Sequence, residues 1–227
     1  MKIVIKIGGS LLQDNGEISV ERIFRYTEII RKLKEEGHNL AIVVGGGNIA
    51  RKYVRAMRKL GAPDAICDLV GIKVAKLNAY LLISAIKENV YPKVPDTLEE
   101  AISIFSLGKI IVMGGLQSGQ STNAVAALLA EAIGANVLIN ATTVDGVYTA
   151  PPGTPGAKKL EKVTTDRLME IVRRTSMFKA GEYRLFDPLA ILITRRARLV
   201  VKIVDGQDPQ NILKAVRGGK IGTTIVP

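Results

Sequence analysis

Five short apolar runs are spaced along the chain, and within them apolar residues mostly follow one another instead of alternating with polar ones. The runs cover residues 3–7, 40–44, 110–113, 137–139 and 199–204. Short continuous apolar runs are typical of strands that are buried on both faces, as in a parallel sheet covered by helices. The pattern therefore predicts a mainly parallel sheet.

Segments with helical spacing of apolar residues lie between these runs. They cover residues 20–35, 49–60, 65–87, 98–107 and 123–133. Two more helices have start signals, because Asp187 and Asp208 can each act as an N-cap before a proline at the first helical position. The first of these helices is expected over residues 189–197. Alternation of strands and helices favours an α/β fold with helices on each side of the sheet.

Length and composition narrow the class of protein. The chain has 227 residues, which suits one sizeable domain, and 47% apolar with 23% charged residues is ordinary for a globular protein. The single cysteine, Cys67, excludes an internal disulfide and fits a reducing compartment. No apolar stretch is expected to be long enough to cross a membrane, because Glu131 interrupts the longest one, around residues 124–139. Lys6 lies where a signal peptide is uncharged, so we expect a cytoplasmic protein.

A net charge of +11 raises the alternative of a nucleic-acid-binding protein. The basic residues, however, fall on helical spacing, as from Arg51 to Lys59, and no aromatic residues for base stacking lie between them. Solvated helix faces explain this charge better, and the surplus would steer small anionic substrates towards a cleft. We therefore expect no nucleic-acid partner.

Two glycine-containing turns carry most of the candidate chemistry. Lys6, Gly8, Gly9 and Ser10 end the first apolar run, and residues 45–47 are three glycines between the second run and a helix. Open α/β sheets bind ligands at the carboxyl ends of their strands, and glycine lets backbone amides approach phosphate oxygens closely. Each turn alone also fits an ordinary tight turn. Together they predict one phosphate-binding crevice.

Polar residues near other predicted strand ends extend this site. Arg51 can bind phosphate or face solvent, and Asp68 can bind a ribose or base or simply be exposed. The loop at residues 114–122 is rich in glycine and neutral donors, and Tyr148 can fill a strand or contact an adenine. One histidine and one cysteine exclude a tight transition-metal site or a Ser-His-Asp triad.

Taken in order, these motifs resemble the amino acid kinase superfamily and, within it, the archaeal-type uridylate (UMP) kinases. The matching segments are residues 6–10, 45–51, 68–71, 114–122, 144–148 and 187–190. The resemblance implies a three-layer αβα sandwich in a single domain, with residues 1–139 as the acceptor-binding lobe and residues 140–227 as the ATP-binding lobe. It also implies direct in-line transfer of the γ-phosphoryl group of ATP to UMP, giving UDP and ADP in pyrimidine nucleotide biosynthesis.

The resemblance further implies a role for each matching residue. Lys6 and Asp187 would be catalytic, with Asp187 orienting Lys6. ATP would contact Lys6, Gly8, Gly9, Ser10, Gly47, Arg51, Thr142, Thr143 and Tyr148. UMP would contact Gly46, Asp68, Leu116, Gln117, Ser118, Gly119, Gln120, Ser121 and Thr122. Mg²⁺ would be held mainly by nucleotide phosphates, without a metal site of the protein's own. The family also implies a hexamer built as a trimer of dimers and feedback inhibition by UTP.

Three positions depart from the family pattern. Pro151 and Asn123 stand where many members have aspartate, and Thr143 stands where asparagine or lysine is usual. Two alternatives to a UMP kinase remain. They are a kinase of the same fold acting on isopentenyl phosphate, acetylglutamate or carbamate, and a non-catalytic nucleotide- or anion-binding protein. The polar side chains of residues 117–122, with Asp68, suit a sugar and base better than an isoprenoid chain.

Overall fold

A seven-stranded sheet forms the centre of the computed structural model, which describes residues 1–176 and 186–227. Across the sheet the strands are β5 (Ile111–Met113), β4 (Asn39–Val44), β1 (Lys2–Ile7), β6 (Val137–Thr142), β10 (Val201–Asp205), β11 (Thr223–Val226) and β9 (Lys162–Thr164). The first five are parallel, β11 is antiparallel to β10, and β9 is parallel to β11. The mainly parallel sheet is confirmed, and its antiparallel edge is an addition to the sequence prediction.

Two short hairpins lie outside this sheet. They are formed by β2 (Gln13–Asp14) with β3 (Glu17–Ile18) and by β7 (Val147–Tyr148) with β8 (Lys159–Leu160). In the first hairpin the turn residues Asn15 and Gly16 have φ angles of 49° and 82°. Positive φ at both central positions is the geometry of the tight hairpin turn that an Asn-Gly pair favours. The pair was therefore a usable signal for this hairpin.

A short 3₁₀ helix, Gly9–Leu12, follows β1, and eight α-helices are present in the described residues. They are α1 (Val20–Glu35), α2 (Gly47–Lys59), α3 (Asp64–Ile86), α4 (Leu98–Ser106), α5 (Thr122–Ala132), α6 (Thr165–Ser176), α7 (Pro188–Arg196) and α8 (Gln210–Val216). All except α6 correspond to a predicted helix. The start of α8 differs, because Pro209 is the N-cap and Asp208 lies one residue earlier, where its carboxylate accepts from the Gln210 amide at 3.1 Å.

The helices cover both faces of the sheet and produce three layers. On one face, α5 packs on β1, β4 and β6 and also contacts α4 and α7. On the other face, α8 packs on β6 and β10, while α1 contacts α8, β4 and α3. The Lys2 ammonium donates to the Ile133 carbonyl at 2.8 Å, just after α5. The side chain of Lys2 thus shows which face of β1 points towards α5.

One helix, α3, is long and apolar enough to cross a membrane, with a mean hydropathy of 1.6 over its best window. The expectation that no apolar stretch reaches this length is therefore wrong for residues 64–86. In the structure Cys67, Val74, Leu82 and Ile86 of this helix are buried, and the helix packs against α1, α2, β4 and β5. The core helix of a globular fold has the same composition, so this observation is weak evidence for a membrane span.

The strand order places a crevice beside β1. From β1 the chain continues to β4 on one side, whereas β6 and β10 extend the sheet on the other side. In open α/β sheets, the carboxyl ends of the strands at such a reversal form the usual ligand-binding crevice. The ends of β1, β4 and β6 therefore meet where a ligand is expected.

Candidate functional site

A cavity of about 700 Å³ opens at the carboxyl ends of β1, β4 and β6. The turn after β1, the glycine turn after β4 and the two threonines after β6 all contribute to it. The predicted site residues that line it are Lys6, Gly8, Gly9, Ser10, Gly46, Gly47, Arg51, Asp68, Gln120, Thr122, Thr142 and Thr143. Residues far apart in the sequence thus share one cavity.

The two glycine turns pack backbone against backbone. A Cβ atom added at Gly9 would overlap with the Gly45 carbonyl and the Gly47 amide, so no larger residue fits there without displacing the second turn. Gly47 itself has a φ angle of 66°, a left-handed conformation that favours glycine. The glycines are therefore required by the approach of one turn to the other, as well as by any ligand.

Hydrogen bonds fix both turns relative to the sheet. The Gly8 amide donates to the Ala141 carbonyl at 3.0 Å, and the Gly45 amide donates to the Ile7 carbonyl at 3.0 Å. The buried side chain of Asn78, on α3, donates to the Gly45 carbonyl at 2.8 Å. These hydrogen bonds hold both turns at fixed positions on the sheet, which is the preorganisation that an anion site needs.

Gln13 and Asn48 also join the two turns, and neither was recognised from sequence. The Gln13 side-chain oxygen accepts from the Asn48 amide at 2.9 Å, in the first turn of α2. The Arg51 guanidinium donates to the Ser10 hydroxyl at 2.9 Å and to the Asn48 side chain. Since a guanidinium carries five donors, Arg51 keeps capacity for an anion in the cavity.

Lys6 is the buried cation of the site. Its side chain is 8% exposed, and burial, which disfavours the charged form, lowers the pKa of Lys6 to about 8, while the nearby Asp187 carboxylate opposes this shift. Such a lysine still carries its proton at neutral pH but is poised to lose it in mildly alkaline solution. A desolvated cation in a cleft interacts strongly with a phosphate placed beside it.

Asp187 lies beside Lys6 but does not line the cavity. Its carboxylate caps α7 by accepting from the Ala190 amide at 3.1 Å, and it also accepts from the Ser121 hydroxyl. Ser121 in turn caps α5 by accepting from the Ala124 amide at 3.0 Å. The carboxylate therefore joins the starts of two helices at a fixed position next to the ammonium.

The loop at residues 114–122 docks on the first turns of α3. The Gly119 amide donates to the Asp68 carboxylate at 2.9 Å, and the Ser118 hydroxyl donates to the Ala65 carbonyl at 2.8 Å. Asp68 thus both lines the cavity and holds the loop. The predicted acceptor residues that do not line this cavity are Leu116, Gln117, Ser118, Gly119 and Ser121.

The same loop separates two cavities. A second cavity of about 360 Å³ lies next to the start of α4 and is lined in part by Leu116, Gln117 and Gln120. Gln120 is the loop residue that borders both cavities. The prediction of the whole loop as one binding surface is therefore too broad for the main cavity.

Tyr148 lies outside the main cavity, in the hairpin of β7 and β8. Its hydroxyl donates to the Asp145 carboxylate at 2.8 Å, and the Lys159 ammonium donates to the same carboxylate at 2.9 Å. These hydrogen bonds, first the one from Lys159, lower the pKa of Asp145. The position after β6 thus brings Thr142 and Thr143 to the cavity but leaves Tyr148 at its outside edge.

The chemistry of the cavity suits polyanions. Its charged lining groups in the described residues are Lys6, Arg51 and Asp68, beside several glycine amides and the hydroxyls of Thr122 and Thr142. Apolar side chains of α2 and α3, which the sequence motifs do not indicate, complete the wall at Val54, Ile72 and Ala75. No group of three His, Cys, Asp or Glu residues suited to a metal ion occurs within residues 1–176 and 186–227.

Comparison with known proteins shows which family this chain resembles in sequence and in fold. Residues 1–205 match the model of the amino acid kinase family. Uridylate kinases from Methanothermobacter thermautotrophicus and Methanococcus vannielii are 43% and 46% identical to the chain, with full coverage of both sequences in each case. The crystal structure of uridylate kinase from Archaeoglobus fulgidus superimposes with a TM-score of 0.89 at 40% identity and covers both chains fully.

Proposed function

The chain belongs to the amino acid kinase family, and we propose that within this family it is a uridylate kinase, which transfers the γ-phosphoryl group of ATP to UMP. The products are UDP and ADP. The observation that carries this proposal is the meeting of two glycine turns, a buried lysine and an arginine at one cavity of about 700 Å³. Such a volume lies within the usual range for small-molecule sites.

Phosphoryl transfer needs positioning and neutralisation of charge more than covalent participation of the protein. In the proposed reaction, a phosphate oxygen of UMP forms a bond to the γ-phosphorus of ATP on the side opposite the bridging oxygen. The bond to that bridging oxygen breaks, and its electron pair leaves with ADP. The Lys6 ammonium stabilises charge on the transferring group, and Arg51 and the glycine amides bind the flanking phosphates.

The lining residues divide between the two substrates in this proposal. Those beside β1 and β6, from Lys6 to Ser10 with Thr142 and Thr143, would bind ATP, helped by Gly47 and Arg51. Gly46, Asp68, Gln120 and Thr122 would bind UMP. The other loop residues would act by shaping the loop around Asp68, and Tyr148 would reach only a nucleotide base that extends beyond the cavity. Residues 1–139 and 140–227 remain the proposed acceptor and ATP lobes.

Magnesium is part of the proposal as the ion that accompanies ATP. Asp68 is the one carboxylate among the described lining residues of the cavity, and the hydroxyls of Ser10, Thr142 and Thr143 are neutral. This donor set fits an ion that is held mainly by nucleotide phosphates and water, as magnesium often is. When bound, the ion would neutralise phosphate charge and help to align the two phosphates.

The oligomeric state, the cellular location, the metabolic role and the regulation of the enzyme are also proposals. Ile66, Leu69, Leu77 and Tyr80 are between 44% and 63% exposed and lie at helical spacing along one face of α3. An exposed apolar stripe of this kind supports pairing of two copies through α3, as expected for a hexamer made of dimers. We further propose a cytoplasmic location, a role in pyrimidine nucleotide biosynthesis, and UTP as a feedback inhibitor.

The decisive experiment is a panel of phosphoryl acceptors tested with ATP and magnesium. We expect UDP formation from UMP and little turnover of isopentenyl phosphate, acetylglutamate or carbamate. Turnover of only a non-nucleotide acceptor would reject uridylate as the substrate. If UMP and ATP bind but no acceptor is phosphorylated, the chain is a nucleotide-binding protein instead of a kinase.

A further inference from the structure

Asn140 is a polar residue in the middle of the sheet. It lies in β6, its side chain is 0% exposed, and neither the oxygen nor the nitrogen of its amide has a hydrogen-bond partner. A buried amide without partners destabilises a fold, and an apolar residue of the same shape would avoid this cost. The residue therefore needs an explanation other than packing.

The strand register places Asn140 beside Lys6. In the parallel pairing of β1 with β6, Lys6 is the partner of Asn140, and on the other side of β6 the partner is Ile203. Neighbouring strands lie about 4.8 Å apart, and paired residues of a parallel ladder point to the same face of the sheet. Lys6 is thus the polar one of the two neighbours that share a face with Asn140.

That face is the one covered by α5. Lys2 and Lys6 have the same parity along β1, and the Lys2 ammonium contacts the Ile133 carbonyl at the end of α5. The long, flexible stem of Lys6 and the shorter side chain of Asn140 therefore lie side by side beneath α5. Because the Lys6 stem has several staggered rotamers, a change of rotamer can bring the ammonium towards the amide oxygen without movement of the strands.

Few charged groups compete for the ammonium in the described part of the chain. From α7 the facing group is Asp187, whereas α5 presents uncharged side chains in its first turn and β4 presents Val43 as the register partner of Lys6. Across the cavity the charged lining groups are Arg51 of α2 and Asp68 of α3. Asn140 is thus a neutral acceptor on the side of Lys6 opposite β4.

We propose that Asn140 is a positioning residue for Lys6, whose side-chain oxygen accepts a hydrogen bond from the ammonium and keeps it charged and directed at the transferring phosphoryl group. The inference rests on the proposed function for its catalytic part. It does not require Asn140 to touch either nucleotide. Removal of the oxygen would leave the ammonium with less compensation for its burial, so Lys6 would lose its proton at a lower pH.

The test compares Asn140→Leu with Thr194→Val. Both changes remove a fully buried polar group that has no partner in the described structure and keep nearly the same shape, but Thr194 lies on α7, two turns beyond Asp187. Two readouts are recorded for each protein. The first is titration of Lys6 in the nucleotide-free protein by NMR of ¹³C-labelled lysine, and the second is the pH dependence of kcat/KM and of kcat for UDP formation.

We expect the titration midpoint of Lys6 to lie about one pH unit lower in Asn140→Leu than in the parent protein, and to be the same in Thr194→Val as in the parent protein. Above this midpoint kcat/KM should fall by about tenfold, while the Kd of UMP, which Lys6 is not proposed to contact, should change by less than about twofold. A purely structural role predicts no change in the titration.

A third variant keeps the inference testable if Asn140→Leu does not fold. Asn140→Asp retains the acceptor and adds a negative charge, so the Lys6 midpoint should move to a higher pH. An unchanged midpoint in either Asn140 variant, or an equal shift in Thr194→Val, would overturn the inference. The NMR titration needs no turnover, so it decides the role of Asn140 even if the acceptor panel rejects UMP as the substrate.

Discussion

Replacement of Lys6 by methionine should make the protein more stable at neutral pH and remove its turnover. Methionine has nearly the same shape as the lysine stem, and Lys6 is almost fully buried. Burial lowers the pKa of Lys6 from 10.5 to about 8, net of the favourable effect of Asp187. At about 1.4 kcal/mol for each pH unit, this difference corresponds to about 3 kcal/mol of cost for a buried ammonium at pH 7.

The pH dependence of this cost has a defined sign. Below pH 8 the lysine is charged in both the folded and the unfolded chain, so the full cost of its burial is present. Between about pH 8 and 10.5 the folded chain has released the proton while the unfolded chain keeps it, and the parent protein gains stability. Above pH 10.5 both states are neutral at Lys6, so the advantage of Lys6→Met should disappear there.

Chemical denaturation at pH 7 and at successive pH values up to 10.5 measures this difference, and a coupled assay for ADP measures turnover. Lys2→Met is the matched control, because Lys2 lies on the same face of β1 but is exposed, and its ammonium bonds to the Ile133 carbonyl. The control should show no pH-dependent gain and should retain turnover. A loss of stability in Lys6→Met at pH 7, or a gain that is the same at pH 7 and 10.5, would refute the reasoning.

Two further predictions concern the turns and the carboxylate. Gly9→Ala should lower the free energy of unfolding by about 3 kcal/mol, because the added Cβ overlaps with the turn at Gly45. The control Gly8→Ala meets only ordinary contacts at 3.5 Å, so its free energy of unfolding should stay within about 1 kcal/mol of the parent. Equal free energies of unfolding for the two variants in urea titration would contradict this prediction. Asp187→Asn keeps an acceptor for the α7 cap but removes the charge that raises the pKa of Lys6. The alkaline limb of kcat/KM should move to lower pH, and an unchanged limb would show that the carboxylate charge does not act on Lys6.

The strands that sequence predicts are the ones covered on both faces. The apolar runs at residues 3–7 and 40–44 correspond to β1 and β4, in which these residues are all buried. In contrast, β9 at the sheet edge and its neighbour β11 have alternating burial over only three or four residues, which is too short for a periodicity argument. Helix α6 was overlooked although its buried residues Leu168 and Ile171 have helical spacing.

The site was predictable where glycines or charges stand at strand ends, and less so where an ordinary polar residue acts through packing. Gln13 and Asn78 hold the glycine turns, but a single glutamine or asparagine in a helix or hairpin carries no specific pattern. Tyr148 follows β6 in sequence, yet a hairpin carries its hydroxyl to Asp145 and away from the cavity. Short-range motifs therefore located the turns, whereas the partners of those turns required the fold.

Residues that destabilise the folded state lie together at the carboxyl ends of the central strands. Lys6 is a buried cation, and Asn140 is a buried amide whose polar atoms have no partner among the described residues. Gly9 and Gly47 lose more backbone conformational entropy on folding than residues with a side chain would. The amino ends of the same strands are apolar at Ile3, Leu40 and Leu138, which are all fully buried. Because apolar side chains of the same shape would suit the sheet better at Lys6 and Asn140, these two residues are explained by the ligand site that we propose and not by the folding of the sheet.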